Sequence, residues 1–314
     1  MRAFAWFLGV LVAAGLVTAL VAYPVYELTS QVAPWPFHRV ASRVAMLAAV
    51  GGLVWLCRHL SVASKRALGY GLPWRRFVTV AVSFGIVGMT TAAAGAAILL
   101  AMHWRIPAGA HSVIKLLLIG LSSGIAVALI EETVMRGAMH SAIARESGQW
   151  AAVLCTAPLF AVLHFFAKAR IPVDELHWGS GFDLLARSFA PLSTPALVLD
   201  SFMAWLAVSL VLSLTRVLTG NIAAALGLHA GWVVVLRMLQ EATAPGPDAH
   251  ASAWVGKFDG LLGYWVLPWS AAIGLVLWLT RRVWARYALG SEDAVNGANS
   301  ASPSKRSTGS SISK

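Results

Sequence analysis

ALIEETVMRGAMH, residues 128–140, sets two adjacent carboxylates at the end of an apolar run. From Leu116 to Ile130 nothing is ionisable; then come Glu131 and Glu132, with Arg136 four residues after the second acid. A run of that kind is a membrane-helix candidate, and an ionisable group inside one is costly and marks function by default. Helical periodicity separates the two acids. Glu132 and Arg136 stand at i and i+4 with the acid N-terminal, the favoured orientation for a helical ion pair. Glu131 is rotated about 100° away and has no base within one turn on its own face. Glu132 therefore reads as structural, and Glu131 as a carboxylate available for general-base work.

The composition extends this reading to the whole chain. Of 314 residues 58% are hydrophobic and only 12% charged, with mean hydropathy +0.72. A soluble domain carries about 25% charged and roughly 45–50% apolar residues, so the fold class is all-α, a polytopic membrane helix bundle. The net charge of +11 is a topology signal rather than a nucleic-acid footprint, because Lys and Arg collect in cytoplasmic loops. Cys57 and Cys155 lie within apolar stretches and read as small buried hydrophobes. The first apolar run, Ala3 to Tyr23, exceeds a signal-peptide core of about 7–15 residues and reads as a retained span.

Eight stretches approach the length of about 20 residues that a crossing needs: 3–23, 40–57, 78–102, 114–145, 150–168, 196–215, 221–240 and 261–280. The second contains Arg43, close enough to an end to reach the interface. Arg58, Lys65, Arg66, Arg75 and Arg76 follow the second stretch, and Arg281, Arg282 and Arg286 follow the eighth. The loop after the seventh carries Glu241, Asp248 and Asp259. Eight crossings then place both termini in the cytoplasm. Within 169–195, FDLLARSFAPL puts Phe182, Leu185, Ala186 and Phe189 on one helical face, an interfacial helix. The Ser/Gly/Asn-rich segment from Gly290 reads as a disordered tail. Four regions result: 1–112, N-terminal membrane helices; 113–240, a core; 241–289, the last membrane helix with its flanks; and 290–314, the tail.

Two further spans carry ionisable groups: His164 in FAVLH and His229 in GLHAGWVVV. With the fourth span ending near Arg145 and the fifth starting near Trp150, Glu131 and His164 each lie roughly 21 Å in, at 1.5 Å per residue. His229, counted from Asn221, lies roughly 12 Å in. Each feature alone is ordinary for a helix; their convergence at similar depth in a chain so short of charge is not. His140 reads as interfacial, Asn221 as a helix N-cap and Phe160 as packing.

EETVMRG fits E-E-x-x-x-R, FAVLH fits F-x-x-x-H, and HAGW follows as a third block. In these motifs, over roughly residues 113–240, the chain resembles the CAAX protease and bacteriocin-processing family of intramembrane endopeptidases, a type II CAAX prenyl endopeptidase-like pattern. The resemblance implies an intramembrane catalytic chamber in which Glu131 activates water assisted by His164, His229 helps hold the oxyanion, and Arg136 holds Glu132 in place. It also implies membrane lipid and a membrane-associated protein or peptide substrate as partners, and no nucleic acid. One position departs: the family carries Asn or Asp four residues after the third-motif His, where this chain has Val233. Valine cannot donate to an oxyanion, so Arg237 or a backbone N–H would substitute, or activity falls. No cofactor is expected for a glutamate mechanism. The metal alternative is Zn2+ on Glu131, His164 and His229 with water in the fourth position, without the H-E-x-x-H pattern. Two non-protease alternatives remain: an inactive immunity or scaffold protein, favoured by Val233, and a proton-coupled transporter, for which the sequence offers no internal repeat.

Overall fold

The computed structural model describes residues 1–33, 35–109, 111–165, 169–247, 249 and 252–283. It is a helix bundle built from α1 (Arg2–Ser30), α2 (Phe37–His59), α3 (Trp74–Ala101), α4 (Val113–Glu132), α5 (His140–Ser147), α6 (Gln149–Leu163), α7 (Ser180–Phe189), α8 (Pro195–Thr219), α9 (Ala223–Ala242) and α10 (Val266–Leu279). A π-helical turn, Thr133–Met139, joins α4 to α5, giving one continuous rod from Val113 to Ser147. Strands β1 (Arg105–Pro107) and β2 (Thr243–Pro245) pair antiparallel just beyond the ends of α3 and α9.

All eight apolar stretches form helices, and the chain is a multi-pass membrane protein. Among the described residues six helices, the rod counted as one, are long and apolar enough to cross a membrane. Two of the eight, α6 and α10, fall short of that length, with 15 and 14 residues. Both differences have local causes. At the end of α6 the His164 amide bonds the Ala161 carbonyl at 3.3 Å. The His164 ring takes the Phe160 carbonyl at 2.8 Å, ending the backbone ladder. Ahead of α10, Gly256 and Gly260 adopt φ of 86° and 64°, open to glycine at little steric cost. Asp259 accepts the Leu261 and Leu262 amides at 2.9 Å each, so this segment turns instead of extending the helix.

Helix α9 occupies the centre, between α3 and α4, and glycines set both contacts. A Cβ at Gly227 would lie 2.0 Å from the Ala81 carbonyl oxygen, and one at Gly231 would lie 2.2 Å from that of Gly85. On the other face a Cβ at Gly124 would lie 2.7 Å from the Ala230 carbonyl oxygen. Small residues let helix backbones approach closely where lipid supplies no hydrophobic force between helices. Asn221, expected as the N-cap, lies one residue before the N-cap Ile222, yet its side chain still accepts the Ala223 amide at 2.9 Å, after Gly220 has ended α8 in a left-handed conformation.

The remaining elements surround this core. Glu146 at the end of α5 caps α1 from outside, accepting the amides of Arg2 at 2.7 Å and Ala3 at 2.8 Å and the amino group of Met1. Cys57 is buried with Met139, Ile143 and Phe160, and Cys155 packs on the same cluster; both are free thiols. The expected amphipathic helix is α7. Gly181 brings it against Ala19 of α1, while Phe182 and Phe189 stay 46% and 50% exposed, as an interfacial helix requires. The tail expected from Gly290 onward lies outside the described residues.

The glycine contacts are the most sensitive points of this packing. Gly227→Leu is expected to destabilise the protein by at least the roughly 1–3 kcal/mol of a typical overpacking change, read as a lower melting midpoint in detergent. Gly9→Ala, where an added Cβ meets nothing within 4 Å, is expected to leave the midpoint in place.

Candidate active site

Glu131 and Glu132 close α4, and the π-helical turn begins at the next residue. Such turns are rare and recur at functional sites. Arg136 lies inside this one, fully buried. Its Nη1 donates to Glu132 Oε1 at 3.0 Å, and its Nη2 donates to the Ser209 carbonyl and hydroxyl at 3.0 and 2.6 Å. Its guanidinium carbon sits 4.6 Å above the Phe160 ring, a cation–π contact. One side chain thus joins the rod to α8 and α6. Arg216 adds a second link, its Nε donating to the Arg136 carbonyl at 3.2 Å.

From α9, His229 reaches the same carboxylate, with Nδ1 at 2.8 Å from Glu132 Oε1. Its Nε2 lies 3.9 Å from Glu131 Oε2. The two acids therefore separate as their helical positions predict. Glu132 is wholly enclosed beneath Arg136 and His229, while Glu131 keeps a third of its side chain exposed. Among the described residues the ion-pair partner of Glu131 comes from another helix, not from its own. Oε2 of each acid is buried without a hydrogen-bond partner among the described residues.

His164 joins through ring contacts. A carbonyl only accepts, so the bond to Phe160 places the proton on Nδ1 and leaves Nε2 of the neutral ring as an acceptor. The ring stacks on Trp205 with centroids 3.8 Å apart and planes 23° from parallel. Phe160 lies 4.5 Å from the His164 ring and 6.1 Å from the His229 ring. The residue read as packing is thus the wedge on which both histidines and Arg136 rest. The structure brings Glu131, Glu132, Arg136, His164 and His229 into one cluster.

Two expectations change, those for His140 and Arg237. His140 is not interfacial: it is buried, with Nε2 bonded to Gln149 at 2.7 Å, because the rod turns tightly into α6. Arg237 does not replace the missing donor at Val233; it is exposed and donates to Gln240 at 3.1 Å. Among the described residues no three His, Cys, Asp or Glu are grouped to hold a metal ion. Nδ1 of each histidine is already engaged by the protein. Trp205, Ser209 and Arg216 were not foreseen. A Trp or Ser within an apolar span has no pattern that separates a site neighbour from packing, but Arg216, charged near the end of a span, was a readable signal.

Residues 111–235 match the model of the type II CAAX prenyl endopeptidase Rce1-like family. The match begins just before α4 and ends within α9, enclosing every residue of the cluster. No curated protein and no solved structure matches the chain. Over these residues the chain is similar to type II CAAX prenyl endopeptidases.

Arg136 is the test of this architecture. Arg136→Ala leaves the Glu132 carboxylate buried without its main partner, a loss of about 3–5 kcal/mol. Arg136→Lys keeps the charge but not the fork that spans Glu132 and Ser209. The melting midpoint in detergent is expected to fall in the order wild type, Lys, Ala.

Proposed function

Because residues 111–235 carry a Rce1-like CAAX-type protease domain, we propose that the protein cleaves a peptide bond of a membrane-associated protein or peptide through a glutamate-activated water. The observation that carries this reading is the unequal burial of the two acids: Glu131 is accessible, and Glu132 is sealed by Arg136 and His229.

Glu131 takes a proton from water as the hydroxyl oxygen bonds to the scissile carbonyl carbon, and that carbonyl becomes an oxyanion. His229 is oriented by Glu132 through Nδ1, so Nε2 faces the reacting region beside Glu131. Donation from Nε2 to the oxyanion requires both ring nitrogens protonated, and Glu131, Glu132, Arg136 and His229 then sum to zero charge. His164, with its acceptor nitrogen free, assists in moving the proton. Collapse of the oxyanion breaks the C–N bond, and the proton held by Glu131 passes to the leaving amine. Such preorganised donors are commonly the largest catalytic contribution, and loss of one costs about 10²–10³ in rate. Val233, partly buried one turn beyond His229, supplies no donor, so turnover below that of a complete site is part of the proposal.

The same position supports a second reading, a non-enzymatic immunity or scaffold protein that retains the cluster without turnover. On topology, we propose cytoplasmic termini. Arg75 and Arg76 share one end of the bundle with Thr280, so the basic segments after α2 and α10 lie on one side, as the charge rule requires.

Terminal-peptide proteomics on membranes holding wild type or Glu131→Gln at matched levels separates the readings. New termini are expected with wild type alone, and His164→Ala is expected to remove them as well. A phenotype that survives Glu131→Gln without any new terminus supports the scaffold. Chelator treatment of active membranes is expected to leave cleavage unchanged under the glutamate mechanism; loss of cleavage restored by Zn2+ overturns it.

A further inference from the structure

A groove of about 1030 Å³ lies between α3 and α10, with Thr219 and Asn221 lining one end. No residue of the candidate active site lines it. Its walls are apolar: Val80, Phe84 and Val87 on one side, Ile273, Val276 and Leu277 on the other. The polar side chains along it are largely committed to the protein. Thr79 bonds the Arg75 carbonyl at 2.9 Å, Thr91 accepts the Trp232 indole at 3.0 Å, and the Asn221 amide bonds the Thr219 carbonyl at 2.8 Å.

The charged side chains lining it are Arg75 and Arg76, both exposed at the same end as Asn221. No acid lines the groove, and among the described residues neither arginine forms an ion pair with a carboxylate. Arg281, following Thr280 at this rim, stacks on Trp278 at 4.0 Å. The groove therefore has a cationic mouth and a hydrocarbon floor. From Arg75 to Thr91 the α3 wall runs roughly 24 Å, longer than the ~15 Å depth of one leaflet.

We propose that this groove binds an anionic phospholipid, with the headgroup phosphate on Arg75 and Arg76 and an acyl chain along the α3–α10 floor. The combination selects this occupant. A free phosphate would use only the mouth, and a zwitterionic lipid would gain little from two unopposed arginines. A second copy docking by two-fold symmetry would bring its own arginine pair towards the same rim.

The test uses full-length protein in nanodiscs of phosphatidylcholine doped with phosphatidylglycerol, followed by detergent extraction and mass spectrometry of the lipid that stays bound. Wild type is expected to retain phosphatidylglycerol selectively. Each arginine replaced in Arg75→Gln/Arg76→Gln is expected to weaken retention about fivefold. Ala272→Trp, which fills the groove and leaves the arginines, is expected to abolish retention. Arg39→Gln on α2 serves as the charge control and is expected to behave as wild type, and melting midpoints establish that each variant is folded. Unchanged selectivity in the arginine variant overturns the proposal. So does unchanged retention in Ala272→Trp, which would reduce the effect to surface electrostatics. Displacement by inorganic phosphate overturns it as well, since that would mark an ion site rather than a lipid seat.

Discussion

Everything near the centre of this protein is arranged around one buried ion pair. Glu132 and Arg136 are both wholly enclosed, and two charges removed from water are tolerated only when every remaining polar contact is made. The helices supply most of these contacts: α8 offers the carbonyl and hydroxyl of Ser209, α9 offers the His229 ring, and α6 lays the face of Phe160 on the guanidinium, while Glu132 Oε2 and Arg136 Nε have no hydrogen-bond partner among the described residues. The pair therefore fixes the relative placement of four segments. It also holds the imidazole that faces Glu131.

The glycines make that convergence feasible. Side chains as short as Glu132 and His229 meet only if the backbones of α4 and α9 lie close, and Gly120 and Gly124 provide that approach. Gly227 and Gly231 do the same between α9 and α3. The central helix is thus clasped on both sides by backbone contacts, while the polar pair selects the register. Strands β1 and β2 close the far end, where buried Arg105 bonds the Thr243 hydroxyl and carbonyl at 2.9 and 2.6 Å.

Much of this was legible because membranes impose simple rules. Apolar length located all eight helical stretches, the amphipathic pattern found α7, and i,i+4 geometry separated Glu132 from Glu131. Termination was harder to read. Nothing in FAVLH announces that His164 ends its helix, because the cause is a ring nitrogen turning back on the Phe160 carbonyl. Nor does VMRG announce a π-helical turn, which depends on what Arg136 must reach on α8. His140 is hidden for the same reason: counting residues to the helix end gives depth along an axis, but not the burial produced when α6 folds back against α5.

The short α6 has a further consequence. A helix of 15 residues rises about 22 Å, so its final carbonyls lie where the surroundings offer few donors, and a bare carbonyl there costs several kcal/mol. His164 occupies one of them. The imidazole that stacks on Trp205 is therefore also the stopper of its own helix: any swing that frees Nδ1 uncovers the backbone behind it. Chain termination and side-chain aim are fastened together at a single nitrogen, so the ring's orientation is enforced by the helix that carries it.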